Sequence, residues 1–297
     1  MVDVLSASDY AAGRLQGDAD GSVHSAFSSS FNVMLDGFLL HVGTEAAPLS
    51  CLGCTVDAEG MSHLLGQVEL GDRVHLRRGV LRVYSRATVS ELALGAACVR
   101  PMAVEPVAPS ALAGADERLS DALAACGLVE RTGLPWPDCS AAVTSLARYS
   151  ISLLCLQQGM EGAEIRRRCE AAERAMRGAV AFLVGRGLGL TPSGDDVLAG
   201  FGTALRFLYG SAGLARCRPF FEAVAAAAPG RTTAVAEAYL AAMVAGYANA
   251  DYLDLLGAIA SGDWGQVPSR LDPVLAVGHT SGADSLLGFA AAFGCLY

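Results

Sequence analysis

Gly187-Leu188-Gly189-Leu190-Thr191-Pro192-Ser193-Gly194-Asp195-Asp196, running on into Val197-Leu198-Ala199-Gly200-Phe201, decides how the rest of the chain is read. Three glycines and a proline set a tight, non-helical lead-in, because Gly accepts positive φ and Pro fixes φ. An apolar helix that opens on two carboxylates follows. Ser193 reads as its N-cap and Asp196 as the N3 partner in a Ser-x-x-acid capping box. The stretch recurs near the C-terminus as Gly278-His279-Thr280-Ser281-Gly282-Ala283-Asp284-Ser285-Leu286-Leu287-Gly288-Phe289. From Ser193 and from Ser281 both copies read Ser-Gly-x-Asp-x-Leu-x-Gly-Phe, each led in by Gly-x-Thr. Capping explains the Ser and the acid but not the shared Leu, Gly and Phe. The copies are therefore expected to form a structural pair whose helix N-termini meet.

Outward from the two copies, Ala and Gly are abundant and apolar residues recur at helical spacing from Ala115 onward. Helices are expected over 116–126, 140–157 and 161–183, then over 195–209, 219–228, 233–248, 252–260, 267–277 and 283–296. Gly200 and Gly288 each lie one turn past the mirrored acid. A mid-helix Gly costs about 1 kcal/mol relative to Ala, so each should seat a crossing helix. Pro101, Pro106 and Pro109, among Ala and Ser, mark a linker. Before it, a short helix over 7–15 precedes strands over 23–27, 30–35, 37–42 and 51–56. Asp36-Gly37 is a hairpin signal. Gly71-Asp72 and Gly79 bracket an alternating strand from Arg73, with Val80–Tyr84 beyond it. The expected fold is α+β in two segregated parts, a small β barrel or sandwich over 1–105 and an Ala-rich all-α domain over 110–297 that carries the motif loops.

A net charge of −9 argues against a nucleic-acid or anionic-membrane partner, since phosphates demand a basic face. No uncharged apolar run approaches the roughly 20 residues needed to cross a bilayer. The N-terminus lacks a basic n-region and a long apolar core, so a cytoplasmic protein with nine reduced cysteines is expected. Only 17% of residues are charged, which points to extensive burial in a core or against other subunits. Cys51-Leu-Gly-Cys54 has the spacing of half a zinc site or a redox pair. No second Cys pair or His pair follows, so the two are read as small strand-end residues. His41, His63 and His75 are too scattered for a metal motif and are read as structural.

The first copy, the Arg231-Thr232-Thr233 step and the terminal Gly-His-Thr-Ser-Gly-x-Asp together resemble the AllH family, which includes a subunit of oxamate carbamoyltransferase. The resemblance covers the C-terminal two-thirds of the chain; the first hundred residues are similar only in general character. It implies a carbamoyltransferase subunit of allantoin and purine nitrogen metabolism that works with other subunits. The reaction moves a carbamoyl group between carbamoyl phosphate and oxamate, giving oxalurate and phosphate, and needs no cofactor.

On the residues alone, the paired helix N-termini offer free N–H groups and the positive ends of two dipoles, an anion site without any lysine. Thr191, Ser193, Gly194, Asp196, Thr280, Ser281, Gly282 and Asp284 line them, with Arg231, Thr232 and Thr233 as further substrate-binding candidates and Arg186 as a weaker one. Asp195 aligns with Ala283 and has no capping duty, so it is the acid singled out for chemistry. His279 is the candidate proton shuttle or carbonyl polariser. Two other readings stay open: a non-catalytic anion-binding partner subunit, and a Mg²⁺-dependent hydrolase of an anionic substrate. A homo-oligomer is compatible with each.

Overall fold

A computed structural model of the chain describes residues 1–112, 115–157 and 162–295. It divides into two compact units, Met1–Ala103 with Tyr247–Asp251, and Val104–Gly246 with Tyr252–Tyr297.

Alternation and two-residue turns shape the first unit. Its strands are β1 (Val2–Asp3), β2 (Ser6–Ser8), β3 (Ala19–Ala26), β4 (Ser30–Leu35), β5 (Phe38–Thr44), β6 (Gly53–Val56), β7 (Arg73–Arg77), β8 (Val80–Tyr84), β9 (Val89–Ala93) and β10 (Cys98–Arg100). Asp36 and Gly37 take φ of 43° and 84° while Leu35 pairs with Phe38, so both turn residues are left-handed, as an Asp-Gly hairpin requires. Arg78 and Gly79 repeat the device between β7 and β8. The strands form one sheet in the order β1-β9-β8-β7-β3-β4-β5-β6-β2-β10. β1 and β2 belong to opposite ends of that order, yet only Val4 and Leu5 separate them, a link that spans about 10 Å. The sheet is therefore curled into a half-barrel with its ends drawn together. Phe31, Val33 and Leu35, Leu40 and Val42, Val74 and Leu76, Leu81 and Val83, and Leu92 fill its core at period two.

Two helices complete this unit. α1 (Asp9–Arg14) is capped by Ser8, whose Oγ accepts from the Ala11 N–H at 2.9 Å. α2 (Ala58–Leu65) was not expected; Asp57 caps it, and Met61 and Leu64 add to the core. Cys51 and Cys54 are buried free thiols, and burial pushes both up to about 12, so they are inert packing groups. His41 shares a hydrogen bond of 2.9 Å with Asn32, and burial lowers it to about 4, which keeps it neutral.

The second unit is helical: α3 (Ala115–Ala124), α4 (Leu128–Arg131), α5 (Trp136–Gln157), α6 (Ala163–Leu183), α7 (Ser193–Ala227), α8 (Ala234–Ala245), α9 (Ala250–Ser261, whose first two residues belong to the first unit), α10 (Val267–Leu275) and α11 (Ser281–Phe293). Glu161 and Leu296, expected as helix ends, lie outside the described residues. The expected helices over 195–209 and 219–228 are one continuous 35-residue helix, α7, with Pro219 inside it. Phe220 and Val224 are fully buried beyond that proline, and the Phe220 ring meets Phe201 edge-on at 5.0 Å. Burial of such side chains, at roughly 1.5–3 kcal/mol each, offsets the cost of about 3 kcal/mol for an interior proline. Trp136–Leu156 in α5 is long and apolar enough by composition to cross a membrane. Here it buries Val143, Leu146, Tyr149 and Leu153, and Ser150 Oγ donates to the Ala292 carbonyl at 2.5 Å.

α7 and α11 cross at their glycines. A Cβ on Gly200 would overlap the Ser285 carbonyl, and one on Gly288 would overlap the Val197 carbonyl. Val197 and Ser285 hold matching places in the two copies, as do Gly200 and Gly288, so the crossing has an internal two-fold symmetry. Gly200→Ala and Gly288→Ala should each lower stability by about 1–3 kcal/mol, the cost of overpacking, despite better helix propensity. Gly178→Ala in α6, where a Cβ meets nothing within 4 Å, should raise it by up to about 1 kcal/mol. Thermal denaturation of the three variants checks the contrast.

Candidate functional site

The N-termini of α7 and α11 meet, and they do so crosswise. Thr191, which leads into α7, shares a hydrogen bond of 3.0 Å with Ser281 of α11. Thr280, which leads into α11, stands 3.5 Å from Ser193 of α7. This crossing of hydroxyls replaces the capping expected of both serines. The N-caps are Pro192 and Thr280, neither with a side-chain cap bond, and Ser193 and Ser281 are the first helical residues. A proline has no N–H for an acid to receive, so Asp196 closes no capping box.

The three acids fare differently. Asp195 is 2% exposed, and both its oxygens are engaged: Oδ1 accepts from the Gly185 N–H at 3.0 Å, Oδ2 from the Thr232 hydroxyl at 2.5 Å. It ties the turn after α6 to the lead-in of α8. Thr233 caps α8 by accepting from the Ala236 N–H at 3.0 Å, and its hydroxyl donates to the Leu190 carbonyl. Burial raises the proton affinity of Asp195, against the pull of its two donors. Asp284 is fully buried; its Oδ1 accepts from the Thr132 hydroxyl at 2.5 Å and the Gly133 N–H at 3.0 Å. Its Oδ2 is buried without a partner, as is Oδ2 of Asp196. Burial drives Asp196 well above the usual carboxylate range; Asp284 and Asp195 push it further up, while the Ser281 and Thr191 hydroxyls pull it down.

Thr132 and Gly133, between α4 and α5, complete the junction, and the sequence reading passed over them. A Cβ on Gly133 would overlap Ser193 Oγ and lie 2.8 Å from Thr280 Oγ1. The only signal was a Thr-Gly step ahead of Pro135 in a stretch assigned to no element. Gly133, the 187–189 loop and the 276–279 turn are exposed, whereas Asp195 and Asp284 are buried and Asp196 is half-buried.

The side chains of the remaining candidates make no hydrogen bond to this network. His279 is exposed in the turn before α11. The exposed Arg231 guanidinium donates to the Ala181 carbonyl of α6 at 2.7 Å, and Arg186 stacks 3.7 Å over the Phe182 ring. Several amides at the two helix starts are engaged by the chain itself. Gly194 donates to Arg186 O at 2.8 Å, Asp195 to Pro192 O at 2.8 Å, Gly282 to Val277 O at 3.1 Å and Asp284 to Thr280 O at 2.9 Å. The junction is thus a pool of carboxyl and hydroxyl oxygens set at the positive ends of two helices. Among the described residues, no group of three or more His, Cys, Asp or Glu side chains is placed to hold a metal ion.

A curled β unit followed by a helical unit whose two look-alike helices pool acids and hydroxyls defines a two-unit protein with a polar junction in its helical part. A family model described as oxamate carbamoyltransferase subunit AllH matches residues 183–293, and one described as the AllH family N-terminal domain matches residues 3–96. The chain belongs to the AllH family, and its first hundred residues share in that membership. This supports the role of a carbamoyltransferase subunit. No solved structure matches the chain.

The folded chain holds the Asp196 proton more tightly than the unfolded chain does. Stability therefore falls as pH rises from about 4, the ordinary carboxylate value, toward the raised folded value. Asp196→Asn should raise stability near neutral pH by about 1–3 kcal/mol, the cost of a poorly satisfied buried group, and the gain should fade as pH drops to about 4. Thr232→Val should instead destabilise by a similar amount, because it strips Asp195 of a donor. Melting curves across that pH range test both signs.

Proposed function

We propose that this chain is the substrate-holding subunit of a carbamoyltransferase of the oxamate type, with the substrate seated where the N-termini of α7 and α11 join. The observation that carries this reading is the pair of buried, unpartnered oxygens on Asp196 and Asp284 beside four hydroxyls. Carbamoyl phosphate, oxamate and oxalurate each have an amide end rich in N–H donors and an anionic end. The amide end satisfies the two orphan acceptors. The anionic end is received by the hydroxyls of Thr191, Ser193, Thr280 and Ser281 and favoured by two helix dipoles. Asp195, Thr232, Thr233, Gly194 and Gly282 hold the loops in shape. His279, from its exposed turn, is the candidate to polarise the carbonyl.

Transfer then needs two reactants held together and a tetrahedral oxyanion stabilised, chemistry that calls for no cofactor. Other subunits complete the complex. A reducing compartment such as the cytoplasm, where the nine cysteines stay thiols, is its proposed location.

Calorimetric titration of the purified chain, alone and in its complex, with oxamate, oxalurate and carbamoyl phosphate tests the reading. Binding is expected for at least one of them. Ser281→Ala and Thr191→Val should each weaken it about tenfold, the worth of a charge-assisted hydrogen bond. Absence of binding in the complex, or affinity indifferent to both substitutions, would overturn it. Binding abolished by a chelator and restored by Mg²⁺ would favour the hydrolase instead.

A further inference from the structure

We infer that Asp196, in concert with Asp284, is the group that gives and takes the proton on the oxamate nitrogen, the atom that accepts or releases the carbamoyl group. The inference rests on the substrate placement proposed above. It moves the chemical role from Asp195, whose two oxygens are both occupied by the chain, to the neighbouring acid, which has one left over. Asp284, fully buried on the facing helix, also has one left over. Two such oxygens at one junction are where a substrate N–H group would find acceptors, or a departing nitrogen a donor.

Oxamate nitrogen is an amide nitrogen. It is a poor nucleophile while it keeps its protons and a poor leaving group without one, so an adjacent acid–base group acts directly on both difficulties. When oxalurate is broken, an oxygen of hydrogenphosphate bonds to the carbamoyl carbon. The bond from that carbon to the oxamate nitrogen breaks, and the nitrogen takes the Asp196 proton. The proton of the attacking hydrogenphosphate returns to the carboxyl pair, so a turnover exchanges no net proton with solvent. In the other direction the oxamate nitrogen bonds to the carbamoyl carbon and its proton goes to Asp196. Phosphate leaves with the proton that the pair passes on.

The groups facing Asp196 fit this duty. Asp284 on α11 and Asp195 on its own helix oppose its ionisation, as does burial; the Ser281 hydroxyl on α11 and the Thr191 hydroxyl ahead of α7 moderate the effect. A carboxyl so placed stays loaded at a pH where an exposed one would be empty.

The test uses the complex purified through this chain and follows oxalurate phosphorolysis across pH. Asp196→Asn should lower kcat by about 10²–10⁴-fold, the usual contribution of a positioned acid. That loss should go well beyond any weakening of oxamate binding, because the Asn carbonyl still accepts an N–H but the amide cannot exchange the proton. In the wild type the rate should fall on the alkaline side, where the acid is empty. Asp284→Asn keeps an oxygen for Thr132 and Gly133 but removes the opposing charge, so that limb should move to lower pH. A wild-type kcat in Asp196→Asn, or a limb that stays put or moves upward in Asp284→Asn, would overturn the assignment. Loss of oxamate binding by the wild-type complex would instead remove the substrate placement, which separates the two failures.

Discussion

Two backbones touching at Gly200 and Gly288 set the geometry of the polar junction at the starts of α7 and α11. Each glycine admits the carbonyl of the facing helix into space that a methyl group would fill. Because the contact is reciprocal, it fixes not only how near α7 and α11 lie but also their register. Their first turns therefore arrive side by side rather than a turn apart. The shared Leu and Phe of each copy, Leu198 and Phe201 in one and Leu286 and Phe289 in the other, are fully buried and hold that register. The unit accepts two mid-helix glycines, at about 1 kcal/mol each in propensity, to gain this approach.

Once the register is set, the hydroxyls have nowhere to go but across. Thr191 finds Ser281 and Thr280 faces Ser193, and the serines give up capping to do so. The Gly194 and Gly282 amides fold back on the segments that precede their helices. The buried side-chain atoms left without a protein partner at this junction are acidic: one oxygen of Asp196 and one of Asp284. A core that only had to be stable would have replaced such groups or supplied donors for them. Tolerating a costly acid in an otherwise well-packed junction is the usual mark of a site shaped for chemistry rather than for stability.

The internal repeat was legible because its evidence was redundant, with several positions agreeing in type between two distant stretches. So were the Asp36-Gly37 hairpin and the period-two strands, where a single local rule suffices. The roles of the acids were not legible. Asp195 drew attention because it has no counterpart in the second copy, yet that asymmetry serves Gly185 and Thr232, partners that only the fold reveals. Asp196 was explained away as a cap because spacing could not show that the cap residue would be a proline. α7 read as two helices because a proline marks a break unless buried residues on both sides hold it straight. Thr132 and Gly133 carry no pattern, since a loop that supplies one hydroxyl and one N–H to an acid far along the chain leaves no periodic trace.

The symmetry is therefore one of frame and not of content. Each copy contributes a glycine, a hydroxyl pair and an acid, but the acids meet different company. Asp284 is gripped on one oxygen by a third loop, whereas Asp196 leans on hydroxyls that include one from the opposite helix. Two equivalent carboxyls in identical surroundings would compete for a proton without preference. Unequal surroundings give each its own part, and the proposed transfer, which hands a proton to a nitrogen and takes one from a phosphate, has use for two parts. The repeat supplies the closeness and the departures from it supply the division of labour, so the departures are where the chemistry of this family is to be sought.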